Sequence, residues 1–257
     1  MDTFRELHHA DAPLLLPNAW DVGSALAFEA AGFPAIGTTS FGLSAAAGLP
    51  DGVGSTRAAT AALAELLCRL PVHITTDIED GYSDDPAEVA DCVAELAALG
   101  VVGVNLEDSR DGRLVDPAVL AAKVAAIKRY SPDVFVNARV DNFWFDEEAT
   151  VQAVLLRALA YVDVGADGIF VPGVTDPVDI RSITAGIGVP VNVLAHASLT
   201  VAELGALGVR RVSSGSLPYR AAVDAAVNVA VALRENHRTP SATSYWEMQS
   251  RLESFGD

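Results

Sequence analysis

Lysine is almost missing from this chain. Of 257 residues only Lys123 and Lys128 are lysine, and both fall within one expected helix. Arginine brings the basic total to 17, against 34 acidic residues and a formal net charge of −17. No basic cluster occurs, so nucleic acid and anionic membrane surfaces are poor partners for this surface. The same field opposes anionic substrates. Any anion site must therefore be made positive locally, by a metal, an arginine or backbone N–H groups. A Schiff-base aldolase needs a lysine at a strand end, and neither lysine stands at one. Cysteine is equally scarce. Cys68 and Cys92 both lie in helical patterns, which argues against a disulfide framework, a zinc site or a thiol nucleophile. They read as buried structural thiols. No apolar run approaches the ~18 residues of a membrane span. The opening segment MDTFRELHHADAP lacks the basic-then-apolar form of a signal peptide, so the expected location is the cytoplasm.

About half of the residues, 51%, are hydrophobic, enough for one large domain with a substantial core. A pattern repeats along the chain: a short β-branched apolar run, a polar turn, then an Ala/Leu-rich amphipathic stretch. Strands are expected over 14–20, 35–40, 72–79, 103–108, 134–141, 168–173, 191–195 and 211–216. Helices are expected over about 22–31, 55–69, 86–99, 116–130, 146–164, 176–185, 199–207 and 219–236. Gly32, Gly100, Gly165 and Gly208 close helices in the manner of a C-cap. Asp85-Pro86, Asp116-Pro117 and Asp176-Pro177 open them as N-cap plus Pro. Eight alternating units argue for a parallel (β/α)8 barrel of the TIM type. The alternative is a doubly wound open sheet, which here lacks a Gly-x-Gly-x-x-Gly turn after its first strand. The barrel domain is expected over 1–238. Residues 239–257 form an additional C-terminal helical segment with Tyr245, Trp246, Met248, Leu252 and Phe255 as its apolar residues. A lone helix of this length is marginal in water, so it packs on its own barrel or on another subunit.

In such a barrel the chemistry sits at the C-terminal strand ends. The stretch from Thr75 to Tyr82 reads as a buried strand running into a turn. Alternation puts Thr75, Asp77 and Glu79 on one face. A buried carboxylate pair is costly without counter-charge, and a hard divalent cation is the usual remedy. An N-cap cluster is the competing explanation, although Asp84 and Asp85 already fill that role. The other strand ends supply Asn18 and Trp20, then Thr38–Leu43 with Asp51 beyond, then Asn105 and Glu107. They are followed by Asn137, Arg139 and Asp141, and by His196. Arg139 with Asp141 alone would read as a structural ion pair, but that pair does not account for so many acids in one place. His196, Tyr82 and Asp51 are candidates for proton transfer, His196 against the alternative of a hydrogen-bonded structural residue. His8, His9 and His237 read as surface residues, and His73 opens its strand at the far end of the barrel. Trp20 reads as core. Arg110 and Arg113 are candidates for a distal carboxylate or plain solvated charges.

The segments TTSFGLS with Asp51, DIEDGYS, NLEDS and NARVD, in this order and spacing, resemble the isocitrate lyase / phosphoenolpyruvate mutase superfamily from about Leu14 to Leu217. The resemblance implies Asp77 as the direct Mg²⁺ ligand, with Mn²⁺ as a substitute. It implies Glu79 and Glu107 as carboxylates that hold the metal through water, with Asp51 nearby. It also implies Phe41, Gly42 and Leu43 as the turn whose N–H groups hold a substrate carboxylate, and Arg139 as a substrate contact. The ligand it implies is a small α-oxo or 2-hydroxy carboxylate. The assembly it implies is a homo-oligomer, tetramer or dimer, with exchanged final helices.

One family feature is absent. Lyases of the family carry Lys-Lys-Cys-Gly-His after the fourth strand, and phosphonomutases an Asn-containing loop beginning Asp-Lys. Here Ser109-Arg110-Asp111-Gly112-Arg113-Leu114-Val115 leads directly to Asp116-Pro117. The expectation is a Mg²⁺-dependent carbon–carbon lyase acting on an α-oxo or 2-hydroxy di- or tricarboxylic acid, cleaving by retro-aldol or decarboxylation through a metal-bound enolate. The alternatives are a phosphoenolpyruvate or phosphonate mutase or hydrolase, and an α-oxo acid binding protein with little catalysis.

Overall fold

In a computed structural model, which describes residues 3–52, 54 and 56–256, all eight expected strands form one parallel sheet wrapped into a barrel. The strands are β1 (Leu14–Leu16), β2 (Asn18–Ala19), β3 (Ala35–Thr38), β4 (His73–Asp77) and β5 (Gly103–Glu107), followed by β6 (Ser109–Arg110) and β7 (Arg113–Leu114), then β8 (Phe135–Arg139), β9 (Gly168–Phe170), β10 (Val191–Leu194) and β11 (Arg211–Ser213). The short β6 and β7 pair only with each other, antiparallel, as a hairpin outside the barrel.

Segments β1 and β2 share one barrel position, interrupted at Pro17, which has no N–H to give to a ladder. β1 pairs with β11 and β2 with β3, so residues 14–19 close the ring. The carbonyl of Leu16 accepts from Ser214 on one side and that of Pro17 from Gly37 on the other, at 3.0 and 2.9 Å.

The helices are α1 (Phe4–Leu7), α2 (Val22–Ala30), α3 (Ser40–Ala46), α4 (Arg57–Leu67), α5 (Pro86–Leu99), α6 (Pro117–Tyr130), α7 (Asn142–Phe145), α8 (Val151–Asp163), α9 (Pro177–Gly186), α10 (Val201–Ala206), α11 (Leu217–Arg234) and α12 (Tyr245–Gly256). The aspartates at 85, 116 and 176 each accept a hydrogen bond from the backbone N–H two residues on, with Pro opening the helix. Residue 55, where α4 was expected to begin, lies outside the described residues. The sequence pattern did not foreshadow α1, α3, α7 or the hairpin. Each helix is too short to show a periodicity, and the hairpin has two residues on either side.

The main core lies between the strands' outer faces and the helices, with Val104, Val136, Val124, Ala158 and Ile169 fully buried. A separate cluster closes the base of the barrel: Phe4, Leu14, Leu16, Ala35 and Phe135. A Cβ on Gly103 would lie 2.9 Å from the ring of Phe4 and 3.0 Å from the Phe135 carbonyl. Only glycine leaves room there for the α1 plug.

His8 belongs to this plug, which corrects its reading as a surface residue. It is 1% exposed, its ring stacks on Phe135 at 4.2 Å, and its Nδ1 donates to the Phe4 carbonyl at 2.7 Å. The capping box of Thr3 and Glu6 fixes the start of α1, and His8 caps its other end. Cys92 is buried as expected, whereas Cys68, capping α4, is only partly so. No helix among the described residues is long and apolar enough to cross a membrane.

Burial disfavours the charged imidazolium, and with the Arg211 guanidinium nearby it pushes the His8 pKa down to about 3. The unfolded chain therefore takes up a proton near pH 6.5 that the folded chain refuses. Stability is fully present above pH 6.5 and falls as the pH drops below it. The expected slope from this residue approaches about 1.4 kcal/mol per pH unit between pH 6 and 4. Urea unfolding of the wild type and His8→Phe at pH 7.5, 6.0 and 5.0 checks this. The gap between the two should narrow or reverse in favour of the variant as the pH falls.

Candidate active site

At the C-terminal ends of the strands lies a cavity of about 600 Å³, lined among others by Ser40, Asp51, Glu79, Tyr82, Glu107, Arg110, Arg139, Trp144 and Phe145. The fold brings these together from four connections. α3 carries Ser40, the turn after β4 carries Glu79 and Tyr82, β5 ends at Glu107, and β8 ends at Arg139.

Asp77 ends β4. Its Oδ2 accepts from the Ser40 N–H and hydroxyl at 3.3 and 3.0 Å, and its Oδ1 from the Glu79 N–H at 3.3 Å. Glu79 is not on the strand as expected. The strand stops at Asp77, and Glu79 adopts a left-handed backbone with φ 50°. Alternation along a strand therefore does not account for its position. Its carboxylate is held instead by the Thr56 hydroxyl at 2.5 Å and the Gly54 N–H at 3.0 Å.

Glu107 meets Arg139 at 2.8 Å, and Arg139 Nε donates to Asp141 at 2.6 Å. One guanidinium thus serves two carboxylates, with the rings of Trp144 and Phe170 at 5.5 and 5.8 Å. The pairing of Arg139 with Asp141 matches the structural reading of that pair, and Glu107 joins it.

Burial raises the pKa of Asp51, with the charge of Asp77 adding to it. Burial likewise raises Glu79. For Glu107, burial and the neighbouring Asp141, Asp77 and Glu79 outweigh Arg139 and push the pKa up to about 8. Burial works against the charged form of Arg139, but Asp141, Glu107 and Asp77 overcome it and hold the guanidinium charged. The cavity is therefore over-supplied with carboxylate.

This donor set fits a hard divalent cation. Mg²⁺ takes one or two carboxylates and keeps several waters, so it does not need a dense protein cage. Among the described residues no three acids, histidines or cysteines already converge as such a cage. Asp77, with Glu79 and Glu107 at one remove, offers oxygen ligands and uncompensated negative charge.

The turn at Phe41, Gly42 and Leu43 is the first turn of α3. Gly42 N–H reaches the capping Thr39 hydroxyl at 3.4 Å and Leu43 N–H the Thr39 carbonyl at 3.1 Å, while that of Phe41 has no acceptor among the described residues. A Cβ on Gly42 would come within 2.8 Å of Trp20, so the turn packs directly on that indole. Trp20 itself packs on Tyr219 rather than lining the cavity.

His196 is not brought to the cavity. Its Nδ1 accepts from Ser198 and Leu199 N–H at 3.1 and 3.0 Å, and its Nε2 donates to the Thr175 carbonyl at 3.0 Å. Both ring nitrogens are committed to holding a turn. Arg110, on the hairpin, spans Asp80 and Asp84 at the cavity rim. Arg113 is exposed.

Three residues behind the site escaped the sequence reading. Asp108, fully buried, accepts from the Asp141 N–H at 2.9 Å, from Arg157 at 2.9 Å and from the Tyr161 hydroxyl at 2.8 Å. Arg157 also donates to the Val115 carbonyl at 2.9 Å. This network fixes both Asp141, which orients Arg139, and the end of the hairpin. Alternation from Glu107 puts Asp108 on the outer face of β5, under the helices. That was the available signal that it needs a partner.

A family model described as phosphoenolpyruvate phosphomutase matches residues 4–234. The chain belongs to this family. It is 50% identical over 253 residues to an uncharacterized protein of Mycobacterium tuberculosis, covering 98% of this chain and 97% of that one. It is 31% identical over 197 residues to 2-methylisocitrate lyase of Bacillus subtilis, covering 73% and 64%. It is 30% identical over 172 residues to oxaloacetate decarboxylase of Pseudomonas aeruginosa, covering 62% and 58%. Among solved structures, a putative phosphonomutase from Burkholderia cenocepacia is 40% identical, with TM-score 0.82 over 87% of this chain and 96% of that one. A phosphonopyruvate hydrolase complex with oxalate and Mg²⁺ shares the fold at 24% identity, with TM-score 0.84 over 98% and 95%. The phosphoenolpyruvate mutase / isocitrate lyase superfamily holds lyases, mutases and hydrolases that act on oxo acids.

Removing Asp108 would strand the buried Arg157. Asp108→Ala is expected to cost about 3–5 kcal/mol, read as a lower midpoint in thermal or urea unfolding. Tyr161→Phe, which leaves the ion pair intact, should cost about 1 kcal/mol.

Proposed function

We propose that this protein is a Mg²⁺-dependent carbon–carbon lyase acting on an α-oxo or 2-hydroxy dicarboxylic acid, with decarboxylation of a β-oxo acid as the step its residues suit best. The observation that carries this reading is the doubly paired Arg139 beside Asp77, Glu79 and Glu107, behind a hairpin that has no thiol, lysine or histidine. Retro-aldol cleavage needs a group that takes a proton from a hydroxyl. Decarboxylation needs only that electrons left by departing CO2 be stabilised on the neighbouring carbonyl oxygen as an enolate, and that carbon then regain a proton.

Asp77, Glu79 and Glu107 are the residues that would hold Mg²⁺, which would supply the positive charge that stabilises that oxygen. The protein's own groups do the rest. Arg139, immobilised by Glu107 and Asp141, orients the substrate by a fixed fork of donors. In the turn at Phe41–Leu43, the Phe41 N–H is the donor left to receive a carboxylate, since those of Gly42 and Leu43 go to Thr39. Trp144 and Phe145 cover the mouth and limit water. Asp51, on the cavity lining, is placed to pass a proton to the carbon, and Glu107, paired with Arg139, shapes the inner wall. The relationship to an oxaloacetate decarboxylase supports this choice of step. The 40% identity to a putative phosphonomutase supports a second reading, rearrangement or hydrolysis at a carbon–phosphorus bond.

The test is turnover with oxaloacetate, 2-methylisocitrate, isocitrate and phosphoenolpyruvate, with and without EDTA. Turnover of oxaloacetate should vanish on metal removal and fall by on the order of 10³-fold in Asp77→Ala. Turnover that survives EDTA would rule the first reading out, and a new ³¹P resonance from phosphonopyruvate would favour the second.

We also propose a homo-oligomer. No side chain of α11 is buried, although it is the eighth helix of a barrel, and Val223 and Val227 are 46% and 55% exposed on it. Leu15, pointing out from β1, is 37% exposed. A second copy of the chain covers these faces. Light scattering on a sizing column should give a multiple of the chain mass, and Val223→Asp with Val227→Asp should reduce it toward the monomer.

A further inference from the structure

Beneath the cavity the barrel interior is polar. Barrels of this kind are usually filled by branched apolar side chains. Here the inward positions of neighbouring strands carry Thr75, Asn105, Asn137, Asn192 and Arg211, all buried. Arg211, which opens β11, is 1% exposed. Its Nη2 donates to Asn105 Oδ1 at 3.1 Å, while Nε and Nη1 have no protein partner. Its register neighbour Asn192 has neither amide atom bonded, and the Thr75 hydroxyl and His8 Nε2 are likewise unmatched. Because His8 Nδ1 carries the hydrogen given to Phe4, its Nε2 is an acceptor. The set thus mixes donors and acceptors, which suits bridging water better than a bare anion.

The charge on Arg211 has no carboxylate to pair with. Burial pulls its pKa down to about 9 and Asp77 pulls it back up, so it stays charged at neutral pH. The other buried guanidinium of the site, Arg139, is divided between Glu107 and Asp141. Of the two, Arg211 alone keeps its charge unspent, and burial shields it from salt.

We propose that Arg211 is a positioning residue: an unpaired positive charge under Asp77 that raises the cavity's affinity for an anionic oxo acid and lowers it for a divalent cation. This rests on the reading given under Proposed function, because it takes that site's two ligands as given. A charge acting through a low-dielectric interior favours one sign of ligand and opposes the other. A side chain that merely supported the fold would affect both ligands in the same direction.

The experiment measures Mn²⁺ binding by electron paramagnetic resonance and oxalate binding by calorimetry at saturating Mg²⁺. The proteins are the wild type, Arg211→Gln, Arg211→Lys and Asn192→Asp. The last places a carboxylate beside the unbonded nitrogens of Arg211, neutralising it without leaving a hole. Arg211→Gln and Asn192→Asp should each bind oxalate more weakly and Mn²⁺ more tightly, by on the order of three- to tenfold, with Arg211→Lys close to wild type. If Arg211→Gln fails to fold, Asn192→Asp decides alone. Ligand affinities that move together, or do not move, overturn the inference while leaving the proposed function standing. A wild type that binds no oxalate with Mg²⁺ overturns both.

Discussion

The arrangement turns on one guanidinium held between two acids. Arg139 is fixed by Glu107 on β5 and by Asp141 just beyond β8, and neither carboxylate would be tolerable in the barrel without it. Everything around the cavity answers to that triad. Asp141 takes a further hydrogen bond from Ser109 at 2.5 Å, which sets where the hairpin begins. Asp108 grips the Asp141 backbone and passes the constraint to Arg157 and Tyr161 on α8. The hairpin, the strand ends and an outer helix are in this way one hydrogen-bonded unit, although they are far apart in the chain.

The triad also explains why the acidic side of the cavity stays hungry for charge. Arg139 is already committed, so Asp51, Asp77 and Glu79 face each other with only hydroxyl and N–H donors bonded to them and no guanidinium paired to any of them. Ser40, Thr56 and the Gly54 N–H supply hydrogen bonds but no net charge. Such a wall attracts a cation more strongly than it could attract a dianionic oxo acid. On the proposed reading, a site of this make-up would bind cation and acid as a mutually dependent pair, the cation making room for the acid.

The barrel could be read from the sequence because its signals are local and repeated. Seven of the eight strands carry β-branched residues in a short run, Gly100 and Gly208 stop helices in the left-handed region as their positions suggested, and three Asp-Pro pairs start them. The inner wall was legible for the same reason, since Asp77, Glu107 and Arg139 all sit at strand ends. Glu79 was found by a pattern that does not hold, since the strand has already ended and a turn delivers its carboxylate. His8 was misread because nothing in His8-His9 says which ring turns inward. That depends on the capping box of α1 and on the space left by Gly103, a hundred residues away. Asp108, Arg157 and Tyr161 were missed because a buried partner on another helix leaves no trace in either one's neighbours.

The α1 plug has a consequence for traffic. Among the described residues, Phe4, His8 and Phe135 pack across the base, and the cavity opens at the rim where Arg110 meets Asp80 and Asp84. Under the proposed lyase reading, a substrate cut in two inside such a chamber would leave through the opening by which it came. Under that reading the fragment not anchored to the inner wall would leave first, and product departure would be ordered.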